Sequence, residues 1–312
     1  MTTKELIERQ NWSLQQKIDH SLGAIDQFYS RLNGNVYVSF SGGKDSTVLL
    51  DLCRIIDPNI KAVFCNTGNE YPDIVKFVRK LKDTDGYNIE IIRPSITPKE
   101  VIASYGFPLI SKETSEIVDC LRNSPNSVKA KRARGEVACS WKSSKIPQKY
   151  NFLVNEVFNI SAKCCYYLKK KPFHQYQKRT GLYPILGTMA SESQQRRSTY
   201  IRRGGGCNTF DGKIESMPLS IWLEKDIFDY IRQRNIDIAN IYHKGAARTG
   251  CMFCGYGCQI KGDNRLNLVQ SLYPKFYQLF MNYKNNGVTY QEALEKVLQV
   301  NGLQLPNQHD YE

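Results

Sequence analysis

The chain has 312 residues and a formal charge of +13, with 43 Lys and Arg against 30 Asp and Glu, enough length to bury one substantial core and a smaller appended unit. No apolar run is long enough to span a bilayer and the opening MTTKELIERQ is polar, so ten cysteines point to metal or catalytic thiols in a reducing, cytoplasmic setting and not to a secreted disulfide framework. The basic surplus gathers at 129–134 (KAKRAR), at 169–171 (KKK) and in Arg196, Arg197, Arg202 and Arg203, which favours anionic partners, nucleotides and nucleic acid among them.

In chain order, 3–33 carries a helical pattern with an apolar stripe of Leu22, Ile25, Phe28, Tyr29 and Leu32. Strands are expected at 36–40, 61–66, 88–93 and 183–188, alternating with helices at 44–57, 71–82 and 97–104. Pro72 and Pro98 fall where a first helical turn tolerates proline. This βαβ order predicts an α/β fold, a mostly parallel sheet with helices on both faces. Residues 106–150 break the rhythm: basic, serine-rich and weakly periodic, they read as an insertion beside the active site. A helix fits 222–234, with Trp222, Ile227, Tyr230 and Ile231 inward, and 264–300 carries two more helical patterns. The organisation expected is an N-terminal helical segment (1–33), a catalytic domain (34–258) and a helical C-terminal subdomain (259–312).

The stretch VYVSFSGGKDSTVLLDLC (36–53) passes from a strand into a helix whose apolar positions include Val48, Leu49, Leu52, Ile55 and Ile56. Gly42 and Gly43 leave the backbone open to positive φ and to close approach. The N–H groups and dipole of a helix start, the charge of Lys44 and the hydroxyls of Ser41, Ser46 and Thr47 together suit an anion. The spacing is neither that of a Walker A loop nor that of a dinucleotide fingerprint. A phosphate cradle fits better than an ordinary turn.

SGGKDS resembles the pyrophosphate loop (PP-loop) of the ATP pyrophosphatase and PAPS reductase superfamily, an adenine nucleotide α-hydrolase-like fold. The resemblance implies that Ser41, Gly42, Gly43, Lys44, Asp45 and Ser46 line a nucleotide phosphate site. Downstream, FCNTGNEYPDIVKFV (64–78) is similar to the D-T-G-x-x-F-P-E-T segment of the PAPS reductase branch, which brings in Thr67 and Gly68, with Asn66 in place of the usual acid. PILGTMASESQQRRSTY (184–200) resembles that family's substrate segment. Gly187, Ser193, Arg196 and Arg197 carry over, while Met189 and Ala190 stand near where its first arginines are expected.

Two cysteine groups stand apart. SAKCCYYLKKKPF (161–173) holds Cys164 and Cys165, and ARTGCMFCGYGC (247–258) holds Cys251, Cys254 and Cys258. A C-x-x-C turn suits zinc or an iron–sulfur cluster. Neighbouring cysteines diverge at Cβ, which is awkward for one zinc ion and easier for a cubane with separated corners. A zinc knuckle using Cys251, Cys254 and Cys258 is the alternative. The arrangement resembles the iron–sulfur APS reductases, where a Cys-Cys pair and a distant C-x-x-C hold a [4Fe–4S] cluster. Lys169 and Pro172 stand at that family's offsets from the pair. The resemblance implies Cys164, Cys165, Cys251 and Cys254 as ligands, with Lys169 between cluster and substrate anion. PLSIWLEKDIFDYI (218–231) and NIYHKGAARTGCMFC (240–254) resemble further landmarks of the family.

Assimilatory APS and PAPS reductases use a cysteine near their C-terminus, whereas the last cysteine here is Cys258. The intact SGGKDS also matches members that cleave ATP. The first expectation is therefore an ATP-dependent sulfurtransferase similar to the enzymes that install phosphorothioate in DNA. In that reading Asp45 helps hold Mg²⁺, and the acceptor is anionic, nucleic acid being a candidate. The resemblance implies a sulfur donor such as a cysteine desulfurase, or a thioredoxin-type reductant. The second expectation is an APS or PAPS reductase with a relocated thiol: Cys207 in RRGGGCN (202–208), whose positive surroundings would lower its pKa, or Cys258. The third is a nucleotide-sensing or assembly module without turnover. Tyr71, Trp141 and Tyr256 are candidates to stack on a base. The four histidines form no ligand or triad pattern.

Overall fold

The computed structural model describes residues 1–138 and 145–306; Cys139, Trp141 and His309 lie outside them. The chain forms two compact units, each assembled from separate stretches. The first contains Met1–Asn66, Pro72–Ile92 and Phe173–Lys244, and the second Thr67–Tyr71, Arg93–Pro172 and Gly245–Glu312.

The first unit is built on a six-stranded sheet. Its strands lie in the order Ile89–Ile92, Ala62–Cys65, Val36–Phe40, Tyr183–Leu186, Glu215–Ser216, Asn208–Thr209. All neighbours are parallel except the last pair. Val36, Val38 and Phe40 point to one face and Tyr37 to the other, and all four are buried, as a strand covered on both faces requires. Tyr37 and Val63 pack there with Tyr176. The chain leaves the central strand Val36–Phe40 where strand order reverses: its successor Ala62–Cys65 pairs on one side and the later Tyr183–Leu186 on the other. In open α/β sheets the crevice beyond such a switch point is where ligands bind.

The pattern at 3–33 is two helices, Thr3–Gln10 and Leu14–Arg31, separated at Asn11–Ser13 because Ser13 caps the second in a capping box with Gln16. The second buries Ile18, Ser21, Ile25 and Phe28, while Leu22 and Leu32 are only half-buried. Lys17 is fully buried, and its ammonium is paired 2.5 Å from Asp226 on the helix Glu224–Arg234. Ile55, expected on the apolar face of Lys44–Ile56, is half exposed.

In the second unit, the weakly periodic stretch 106–150 has regular structure of its own. Its described part is ordered into helices Lys112–Asn123 and Val128–Arg134, capped by Ser111 and Ser127, after a two-residue strand Leu109–Ile110. That strand pairs in parallel with Gly255–Tyr256, just past the C-x-x-C. Gly255 is required there: a Cβ would sit 2.4 Å from the Pro108 carbonyl oxygen. Among the described residues beyond 264 there are three helices, Arg265–Leu272, Pro274–Met281 and Tyr290–Gln299, and a hairpin between the last two. Phe107 with Phe158 and Tyr290, and Phe253 with Phe280, form the unit's aromatic core.

Candidate functional site

In the first unit, 41–46 forms one turn at the sheet's switch point. Gly42 has φ +73°, and a Cβ there would lie 2.8 and 2.9 Å from methyls of Ile74 and Val78, so both conformation and space demand glycine. The turn is braced internally. Ser41 Oγ lies 2.9 Å from Ser46 Oγ and accepts from the Gly43 N–H, and Ser46 Oγ donates to the Gly43 carbonyl at 2.9 Å. Gly43, at the helix N-cap, has no side chain to cap Lys44–Ile56. The Lys44 N–H donates to Tyr242 Oη at 2.9 Å.

Lys44 is only 3% exposed. Its ammonium lies 3.1 Å from Glu224 and 3.5 Å from Asp45, with the rings of Phe228 and Tyr242 also near. Gly187 rests against the backbone of Asp45 and Ser46. Ser193 caps the helix Gln194–Arg202 by accepting from the Arg196 N–H, Arg197 lies in its first turn, and the Arg196 guanidinium pairs with Glu192. Glu224, Phe228 and Tyr242 are neighbours that sequence reasoning missed, because each reaches Lys44 from far along the chain.

Cys207 departs from expectation. It is 5% exposed, its Sγ lies 3.5 Å from His20 Nε2, and burial pushes its thiol up to about 12 despite nearby Arg9. The basic flank does not activate it. Tyr71 is likewise buried and pushed up to about 12 by desolvation, so its ring is not an exposed stacking surface.

In the second unit, Cys164, Cys165, Cys251 and Cys254 line one cavity with Lys169, Asn69 and the apolar Pro98, Ile102, Leu168, Phe253 and Phe280. Cys164 and Cys165 lie in the short helical turn Lys163–Cys165, which runs into a π-helical turn, Tyr166–Lys170, where the Lys171 N–H bonds to the Tyr166 carbonyl. Pro172 supplies the cause: it has no N–H for the regular bond back to Leu168 and its ring crowds that carbonyl. The wider turn brings Lys169 onto the cavity. Its ammonium is 4.0 Å from Glu70, itself fixed by the Thr67 N–H and hydroxyl at 2.8 Å each. Thr67 and Gly68 therefore belong with this cavity's unit.

The paired thiols act on one another. A hydrogen bond between the pair lowers Cys165 and raises Cys164, and Lys112, Lys169 and Lys170 favour the Cys165 thiolate further. Burial raises Cys251 against the pull of Lys169, and pushes Cys254 up to about 12. Lys169 in turn is raised, first by Cys251.

Among the described residues no three His, Cys, Asp or Glu side chains gather tightly enough to hold one metal ion. The four thiols are instead distributed around a cavity, and buried Asn69 Oδ1 has no hydrogen-bond partner among the described residues. Cys258 does not line that cavity. Its Sγ donates to the Cys254 carbonyl and lies 3.8 Å from Arg265, and burial pushes it up to about 11. A donor set of four soft sulfurs around an apolar space fits a polynuclear iron–sulfur cluster better than the zinc knuckle that would need Cys258.

The sequence profile of the phosphoadenosine phosphosulfate reductase domain matches residues 35–116 and 111–256. The chain belongs to that family. Two uncharacterized proteins of Methanocaldococcus jannaschii are 24% and 23% identical over 267 and 272 residues, each match covering 84% of this chain but 51% and 44% of the relative. The chain thus spans about half the length of these two relatives. An adenosine 5′-phosphosulfate reductase of Staphylococcus epidermidis is 22% identical, with 72% of each chain covered. The crystal structure of phosphoadenylyl-sulfate reductase from Candida auris in its phosphate complex aligns with a TM-score of 0.42 at 13% identity, covering 80% of this chain and 96% of that one. As a PAPS reductase family member the chain has a mostly parallel α/β sheet.

Proposed function

We propose that this PAPS reductase family protein is an enzyme that binds Mg–ATP at 41–46 and activates an anionic acceptor by adenylation for sulfur transfer. The observation that carries this reading is the pair of carboxylates, Asp45 and Glu224, set against the buried ammonium of Lys44. A loop meant for a bare sulfate or phosphate gains nothing from two carboxylates. A loop that holds pyrophosphate with a divalent cation does. In the step proposed, an acceptor oxygen attacks the α-phosphorus and the bond to the α–β bridging oxygen breaks. Pyrophosphate leaves with the electron pair, its charge met by Lys44 and the open helix start. The terminal sulfur of a donor persulfide then displaces AMP and leaves acceptor and donor joined through an S–S bond. An external thiol reductant attacks the donor's sulfur, releases the thio-acceptor, and is left as a mixed disulfide with the donor. Cys164, Cys165, Cys251 and Cys254 would hold a [4Fe–4S] cluster, which when bound supplies a site for sulfur or electrons. Lys169 would keep an anion near that cavity.

APS or PAPS reduction is the second reading, and the adenosine 5′-phosphosulfate reductases among the relatives favour it. It needs a nucleophilic thiol, and burial weighs against both Cys207 and Cys258. A competition titration on anaerobically purified protein, with Mg–ATP against APS and PAPS, separates the two. Preferred binding of Mg–ATP, with AMP and pyrophosphate appearing once acceptor and donor are added, is expected. Preference for APS or PAPS overturns the proposal.

A further inference from the structure

The basic run at 129–134 joins the cysteine site through a chain of contacts that the sequence does not reveal. Lys129 leaves the helix Val128–Arg134 to pair with Glu116 at 2.5 Å, and the other Glu116 oxygen lies 4.0 Å from Lys112. Lys112 stands beside Lys170, five residues past Cys165. On the same side Lys163 pairs with Asp119 at 3.4 Å. Lys112, Lys129 and Lys163 thus meet two carboxylates, with Lys170 and Lys171 nearby in the turn after the cysteine pair and Lys131 and Arg132 continuing along the basic helix.

Aromatic rings lie within this surface. Tyr105 and Tyr167 stack at 4.6 Å and 11°, with Lys163 over one ring and Lys171 over the other. Tyr166 packs edge-on against Tyr167 and is 46% exposed. We infer that this surface, from the helix Val128–Arg134 across Lys112 and Lys170 to Tyr166, is a binding track for single-stranded nucleic acid, with phosphates on the lysines and a base against Tyr166.

Two features support this occupant over an acidic protein. Lysines spread along a path suit a repeating phosphate, and an exposed ring beside them suits a base of any identity. The inference rests on the reading above that the sulfur acceptor is anionic, and it names the class of that acceptor.

The test is fluorescence anisotropy of a labelled, mixed-sequence single strand of about 20 nucleotides with the full, anaerobically purified chain, over roughly 0.05–0.3 M salt. The charge reversal Lys112→Glu/Lys129→Glu/Lys170→Glu is expected to weaken binding at least about tenfold and to reduce the salt slope by about 2. Tyr166→Ala is expected to weaken the oligonucleotide roughly fivefold while leaving polyglutamate binding unchanged. The neutral set Lys112→Gln/Lys129→Gln/Lys170→Gln, with circular dichroism and iron content alongside, guards against misfolding and should give an intermediate loss. Wild-type affinity in the reversal overturns the inference, as does equal binding of polyglutamate or an unaffected Tyr166→Ala. Mg–ATP affinity is measured on the same samples. If the oligonucleotide fails and Mg–ATP still binds, only the track falls; if Mg–ATP fails and the track's losses persist, the adenylation reading falls alone.

Discussion

Gly42 shows how narrowly one residue can be specified. Its positive φ and the two methyls facing it mean that Gly42→Ala should destabilise the protein by about 1–3 kcal/mol in denaturant unfolding and weaken Mg–ATP binding together. Cys207 gives a pH prediction with a definite sign. Its thiol is raised from about 9 to about 12 by burial, so the folded state holds that proton more tightly than the unfolded one. Its stabilising contribution is complete below about pH 9 and is lost as pH rises toward 12. Alkylation of native Cys207 at pH 8, followed by peptide mass spectrometry, should be far slower than in the denatured chain; comparable rates would restore it as a nucleophile. Residue identity alone marked out the loop 41–46 and the four cysteines as candidates. It could not reveal that Glu224 faces Lys44, or that Cys207 is buried beside His20, because both depend on contacts between distant segments.

At the level of elements, the π-helical turn Tyr166–Lys170 is the feature that sets Lys169 on the cysteine-lined cavity. Pro172→Ala restores an N–H and should let this turn relax toward a regular helix, shifting Lys169 off the cavity. Iron content after anaerobic purification should fall by more than about half with helicity unchanged, whereas Cys258→Ser should keep its iron. Full iron in Pro172→Ala would separate the turn from the cysteine site. The strands expected at 36–40, 61–66, 88–93 and 183–188 were legible because short apolar runs alternate with helical patterns. The helices within 106–150 were not: their caps, Ser111 and Ser127, were readable, but their serine-rich, basic surfaces hide the buried face of Ile117, Val118 and Ala130. The Asn286-Gly287 turn of the last hairpin, with φ of 49° and 85°, was a readable signal passed over inside a helical pattern.

For the molecule as a whole, ligand linkage provides the simplest check. Mg–ATP at about 100 times its Kd adds about 2.7 kcal/mol to the folded state and should raise the unfolding midpoint by a few degrees, while AMP alone should do less. An equal effect of both would remove pyrophosphate from the interaction. The α/β class was evident from the order of strands and helices. The assembly of each unit from several separated stretches was not, since nothing local marks which segments will share a core.

That interleaving bears on how the protein is made. The sheet-bearing unit needs residues up to Lys244, and the other unit needs Gly245 onward to join Arg93–Pro172. Cys251 is synthesised 86 residues after Cys165. At roughly 5–20 residues per second on the ribosome, the first cysteine pair waits several seconds for its partners, with its thiols open to oxidants and stray metals. Neither unit can close early on a nascent chain. A growing polypeptide of this design carries Cys164 and Cys165 uncovered until the second unit's last stretch, from Gly245 onward, has emerged.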